Sequence, residues 1–170
     1  MDNAGRGLGF ERLPGDDTAG IAEMSKLASS IVREHYDPII GKATNDYMLG
    51  KYQSEEAIAD QMRHGYRYFF VSAEGRRVGF VAFYPRGDAM YLSKFYLRKE
   101  ERGKGYSHAM LEFVEEAAKA DGLSAIELNV NKHNPTVDIY EHYGFTRIDA
   151  NLIDIGSGFF IDDYVYRLEF

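Results

Sequence analysis

Cysteine is absent from the 170-residue chain, and so is tryptophan. Without a thiol there can be no disulfide, no thiolate metal site and no cysteine nucleophile, so any acyl transfer here must avoid an acyl-cysteine step. Positive charge is in the minority, 20 Lys and Arg against 27 Asp and Glu, giving a net charge of −7. A chain with that balance lacks the basic surface that nucleic-acid binding needs, so no nucleic-acid partner is expected. No apolar run approaches membrane-spanning length, and the first ten residues contain neither the apolar core of a secretion signal nor Gly at position 2 for myristoylation. The expectation is a cytoplasmic protein with no membrane partner. The five histidines are not spaced as metal ligands, and no metal is expected.

What is present is a folded composition, 45% hydrophobic and 14% aromatic. Residues 1–7 are glycine-rich and are expected to be disordered, with residues 8–170 forming one domain. Leu8–Leu13 reads as a strand. Asp17 or Thr18 caps a helix whose stripe is Ile21, Met24, Leu27, Ala28, Ile31 and Val32 and which should end before Pro38. A less regular helical piece surrounds Tyr47–Leu49, and Ser54 caps another helix that Gly65 stops. Strands follow at Tyr66–Ala73, Val78–Tyr84 and Tyr91–Leu97, turned by Glu74-Gly75 and by Pro85–Asp88. A helix over Lys104–Ala120, a strand over Ala125–Val130 and a short helix from Asn134-Pro135 to Gly144 come next. Phe145–Ile155 and Phe159–Phe170 close the chain as a strand pair. This order predicts an α+β (mixed α/β) fold: a single-layer, mostly antiparallel mixed sheet with helices on both faces and one strand-helix-strand crossover.

The organising stretch is Tyr91–Ser107, YLSKFYLRKEERGKGYS. A strand that passes through a glycine-bearing turn into a helix presents unpaired amides at the positive end of the helix dipole, which suits an anion such as a phosphate. It is not a P-loop, since Gly103-Lys104-Gly105 has neither the upstream glycine nor a following Ser or Thr. Nor is it a dinucleotide turn, because His108 stands where the third glycine belongs. What remains is Arg102-x-x-Gly105-x-Ser107. A second block lies at residues 128–145, LNVNKHNPTVDIYEHYGF, with Val130, Asn134, Tyr140, Gly144 and Phe145 as its marks.

Together, the two blocks resemble the signatures of the GNAT superfamily of acetyl-CoA-dependent N-acetyltransferases. Ser107 stands where that family has glycine or alanine. The resemblance implies a GNAT-like fold and an acetyltransferase domain over residues 8–170, with acetyl-CoA as co-substrate. It implies a binding set of Phe95, Tyr96, Leu97, Arg102, Gly103, Lys104, Gly105, Tyr106, Ser107 and Asn134. Within it, the strand end pairs with the pantetheine arm and the turn's amides take the pyrophosphate. Tyr140 would be the catalytic residue, donating its proton to the coenzyme A sulfur.

Many family members carry a glutamate on the strand that here reads Leu92–Leu97, but this chain has Ser93 and Lys94 there. Glu127, Asn129, His133 or a water chain remain as bases. The acceptor is expected to be a primary amine of a small molecule. Asp162 and Asp163, walled by Tyr36 and Tyr143, would suit a cation, although a solvated strand edge explains them as well. The endings GFFIDDYVYRLEF and PTVDIYEHYGF resemble the polyamine-acetylating type. Two alternatives stay open: a non-catalytic acyl-CoA sensor on the same fold, and an acetyltransferase of protein or peptide amines. The alternating aromatics Phe159–Phe170 read as core, with a homodimer as the other use of that face.

Overall fold

The computed structural model describes residues 7–170, so the expectation of a disordered N-terminus lies largely outside the described residues. Gly7, at its edge, sits in a turn with φ 71° leading into β1 (Leu8–Arg12). The Asp17 carboxylate then accepts from the Gly20 amide (2.9 Å) and starts α1 (Thr18–Ile40). The helix runs through Pro38 instead of ending before it. A proline near the end of a helix forfeits only its own N–H bond, and the next turn is closed by Gly41 N–H donating to Asp37 (3.0 Å). His35 and Tyr36 are thereby kept on helical backbone.

Two short helices follow, α2 (Lys42–Tyr52) and α3 (Glu55–Arg63), the latter capped by Ser54 accepting from Ala57 N–H (3.1 Å). Next come β2 (Arg67–Ala73), β3 (Arg76–Arg86) and β4 (Ala89–Leu97). β3 carries on through Pro85 and Arg86, which pair with Met90 and Ala89, so the turn into β4 is only Gly87-Asp88. α4 (Tyr106–Ala120) opens after Gly105, two residues later than its sequence pattern suggests, because Gly105 is left-handed (φ 80°) and cannot lie inside the helix. β5 (Ala125–Asn131) leads to α5 (Val137–Tyr143), which starts past Thr136 and not at Pro135. β6 (Thr146–Gly156) and β7 (Phe159–Glu169) complete the described chain.

The seven strands form one sheet in the order β1-β2-β3-β4-β5-β7-β6, antiparallel except for the parallel β4–β5 pair. β3 explains how the layers assemble. Its run of buried residues faces both sides: Phe80 and Ala82 pack with Met24, Ile31, Leu49 and Ile58 of α1–α3, while Val81 and Phe83 face the α4 side with Met110 and Leu111. β6 is an outer edge, and it leaves Ile148 and Leu152 exposed. Among the described residues, no helix is long and apolar enough to cross a membrane.

The feature that positions the site is a parting of the sheet. β4 and β5 are hydrogen-bonded only over Ala89–Leu92 and Ala125–Leu128. At that point β4 bulges: Ala82 pairs with Lys94 and Phe83 with Leu92, so Ser93 is the extra residue. Beyond it β4 stays with β3 while β5 stays with β7 out to Asn131 opposite Asp163, and a gap opens between the two halves.

Gly79 holds one wall of that gap. A Cβ there would lie 2.2 Å from the Tyr96 carbonyl oxygen, a backbone atom that cannot swing aside. Gly79→Ala is expected to cost at least about 1–3 kcal/mol in urea denaturation, the range for overpacking a core. It should also lower activity beyond that loss, because relief of the clash moves β4.

Candidate active site

The gap is lined by β4 on one side and by β5 and α5 on the other. Arg98 N–H donates back to Val78 of β3 (2.8 Å), whereas the Leu97 carbonyl accepts from the Arg102 guanidinium (3.4 Å). Main-chain groups alternate along a strand, so those of Leu97 and Phe95 point into the gap and those of Tyr96 point to β3. Across from them stand Val130, Asn134, Thr136 and Tyr140. The Tyr140 ring is buried, 5.7 Å from Phe95 and 5.7 Å from Phe145 between ring centres. Burial pushes its phenol far above the ordinary range, with Thr136 opposing slightly, so it stays protonated. Thr136 Oγ1 is buried beside that phenol.

At the α4 end the gap runs into a groove along Gly103, Gly105, Ser107 and Tyr143. Gly103 and Gly105 both have φ 80°, a conformation that turns successive amides toward one side. The amides of Tyr106, Ser107 and His108 lie in the first turn of α4, where a helix has no acceptor of its own for them. The charged side chains of this loop are turned elsewhere. Lys104 pairs with the buried Glu101 (2.9 Å), which also holds Arg76 (2.5 Å). Arg76 first and Lys104 second keep that carboxyl below the usual range. Arg102 points inward. The anion-binding capacity of the loop therefore lies in its backbone.

Arg102 begins a buried polar chain that the sequence does not announce. Its guanidinium donates to His35 Nδ1 (3.1 Å), which fixes the imidazole as the Nε2–H tautomer. Nε2 in turn donates to Asn134 Oδ1 (2.9 Å), and Asn134 Nδ2 donates to the Tyr36 hydroxyl (2.8 Å). Oδ1 also accepts from Thr136 N–H (3.0 Å), so both polar atoms of the Asn134 side chain are engaged. Burial, the largest influence, lowers the His35 pKa, in keeping with a neutral ring. Burial likewise pushes the Tyr36 phenol up to about 12, and the Tyr96 hydroxyl lies against it.

On the far side of β4 is a second cavity of about 300 Å³. It shares Tyr36, Ser93, Tyr96 and Asn129 with the gap, so the two compartments meet at the bulge. Tyrosines dominate its wall, and Lys94 and Asp163 also face it. Asp163 is no solvated edge: β7 lies between β5 and β6, and only 9% of the residue is exposed. Burial, then the charge of Asp162, pushes its carboxyl up to about 6, with Lys132 opposing. A period-two signal was available, since Asp163 stands in register with Ile161 and Val165 on β7.

Of the other sequence candidates for a base, Asn129 alone lines the two compartments, and its amide is not basic. Glu127 is held by Arg167 (3.0 Å) and Arg86 (3.5 Å), Asn129 accepts from Tyr91 (2.9 Å), and His133 is exposed. Asp162 pairs with Lys132 (2.8 Å). Tyr143 packs near His108 on the groove side and does not join Tyr36 in walling the second cavity.

A family model described as an acetyltransferase (GNAT) domain matches residues 38–160. Several solved structures are similar in fold. The PaiA N-acetyltransferase from Thermoplasma acidophilum in complex with coenzyme A superposes with a TM-score of 0.77 at 17% identity, covering 96% of this chain and 99% of that one. The ribosomal-protein-S18-alanine N-acetyltransferase from Escherichia coli gives 0.67 at 16%, covering 95% and 93%. A GNAT family acetyltransferase from Elizabethkingia anophelis with acetyl-CoA bound gives 0.65 at 14%, covering 96% and 99%. No curated protein matches the chain.

Two outcomes test the electrostatics. An unfolded aspartate titrates near 3.9, whereas folded Asp163 titrates at about 6. The stability this raised pKa contributes is fully present below about pH 4 and is lost as pH rises through 6. Relative to Asp163→Asn, the wild type should therefore lose on the order of 2–3 kcal/mol across that window in urea denaturation. Asn134→Ala strands the His35 N–H without its acceptor and should cost about 1–3 kcal/mol, read the same way at pH 7.

Proposed function

The chain belongs to the GNAT family and is an acetyl-CoA-dependent N-acetyltransferase; from that premise we propose that it moves the acetyl group directly to the amine of a small molecule. One observation carries the reading: an amide-lined groove, a gap holding a buried phenol and a cavity holding a buried carboxylate adjoin one another and share lining residues. The residues fit acetyl-CoA on two counts. The β4 edge at Phe95 and Leu97 has no strand partner on the gap side, and open space surrounds the Cβ position of Gly103. When bound, acetyl-CoA supplies a thioester carbonyl to be attacked.

The chain's own groups divide the remaining work. Phe95 and Leu97 offer main-chain donors along the gap, and an amide there stabilises charge growing on the carbonyl oxygen. Gly103, Gly105, Tyr106 and Ser107 hold the pyrophosphate through their backbone. The Arg102, His35 and Asn134 chain positions Tyr36 and the start of α5. Lys104 contributes its amide, its side chain being committed to Glu101. As the acceptor nitrogen bonds to the acetyl carbon, the carbon–sulfur bond breaks. One proton leaves the nitrogen and one must reach the sulfur. Tyr140, held protonated, donates the second. Asp163, ionised above pH 6, receives the first, directly or through water. A primary amine has a pKa of roughly 10.4, so this assistance matters at neutral pH. With no cysteine in the chain, direct attack within a ternary complex is the economical route.

A thiol-release assay over a panel of amines tests this. Tyr140→Phe should lower kcat roughly 10²–10⁴-fold while the acetyl-CoA Kd changes little. The plot of log kcat/KM against pH should steepen below about 6, and Asp163→Asn should remove that break. Binding of acetyl-CoA by calorimetry without turnover of any amine would instead mark a sensor, and neither binding nor turnover would end the proposal.

A further inference from the structure

The second cavity contains two charges of opposite sign that do not cancel one another. Asp163 enters from β7, with Asp162 and Lys132 as its charged neighbours and the Tyr36, Tyr91 and Tyr96 hydroxyls around it. Lys132 is already paired with Asp162 (2.8 Å). Lys94 enters from β4, one residue past the bulge and on the same face as Tyr96. Among the described residues its ammonium has no carboxylate within ion-pair distance, and it lies 5.3 Å from the centre of the Tyr52 ring. Desolvation alone acts on it and lowers its pKa to about 8, so it still carries charge at neutral pH without a counter-ion.

A partly desolvated ammonium with no carboxylate to pair it is costly, and groups in that state cluster at functional sites. Part of the same cavity wall is aromatic. Tyr66 stacks on Tyr84 (4.3 Å), and Tyr84 packs on Tyr91 (5.4 Å). A cavity of about 300 Å³ holds a small molecule more readily than a folded partner. A di- or polyamine would bring a second ammonium into a pocket that already contains one. A zwitterion would satisfy both ends at once.

We propose that the acceptor is an amine that also bears a carboxylate, an amino-acid-like zwitterion bound with its acid at Lys94 and its amine toward Asp163. This rests on the acetyl-transfer reading above and narrows its acceptor class.

Matched pairs of amines test it, each an amino acid beside its decarboxylated counterpart: lysine with cadaverine, phenylalanine with phenethylamine, 4-aminobutyrate with propylamine, and spermidine as a further polyamine. The full-length protein should favour the acid member of at least one pair tenfold or more in kcat/KM. Lys94→Met should bring that ratio toward one by raising KM for the acid member more than it lowers kcat, and Lys94→Arg should retain much of the preference. Because Lys94→Met removes an unpaired charge and shortens the side chain by only one atom, its Tm should equal or exceed that of wild type, which guards against misreading a folding defect. Equal or better use of cadaverine and spermidine by wild type, or a Lys94→Met variant that lowers both members of a pair alike, would overturn the zwitterion while leaving acetyl transfer standing. Acetyl-CoA-dependent thiol release with none of these amines would take away the activity and the inference together.

Discussion

Everything in the site depends on two strands that start as partners and then separate. Parallel pairing joins β4 to β5 for four residues on each side, and the Ser93 bulge then sends β4 off with β3. Each ladder bond given up is worth about 0.5–1.5 kcal/mol, so the sheet is less stable than a continuous one would be. Packing offsets the loss around the rim: Tyr140 lies between Phe95 and Phe145, and the Arg102 guanidinium meets the carbonyl of Leu97. Gly79 permits the close approach that keeps Tyr96 on the β3 side. The opening is therefore built in by backbone geometry and does not depend on a mobile loop.

Polar groups are treated in opposite ways on the two sides of β4. Beside the gap, Arg102, His35, Asn134 and Tyr36 pass hydrogen bonds along a chain in which Asn134 has both polar atoms engaged and the imidazole is neutral. Such a satisfied network fixes positions. In the tyrosine-lined cavity, Lys94 and Asp163 keep charges that the fold does not neutralise.

The sequence made local matters legible. The α1 stripe, the caps at Asp17 and Ser54, the glycine turns and the mixed sheet all follow from periodicity and turn chemistry, and the structure has them. The strand-turn-helix stretch through Gly105 was readable for the same reason, since one short segment contains both the turn and the helix start. Pro38 misled because a proline in the last turn of a helix costs one bond and the next turn can still close. Residues that depend on distant partners were hidden. His35 is 99 residues from Asn134 in sequence, and nothing local marks it. Nothing local to Lys94 shows that Tyr52, 42 residues earlier on α2, lies beside its ammonium. Asp163 looked solvated because two adjacent aspartates suggest an edge, and only the insertion of β7 between β5 and β6 buries one of them.

That insertion bears on how the molecule is made. β7 is synthesised after both of its neighbours, yet it lies between them. A nascent chain can assemble β1–β4 against α1–α4 early, but β5 has only its brief β4 contact and β6 has no neighbour until residues near 169 leave the ribosome. The half-built protein would expose hydrogen-bonding edges on both strands during that interval. The tyrosine-lined cavity thus gains its β7 wall only after β5 and β6 have been made, long after the loop around Gly103 and Gly105 can have formed.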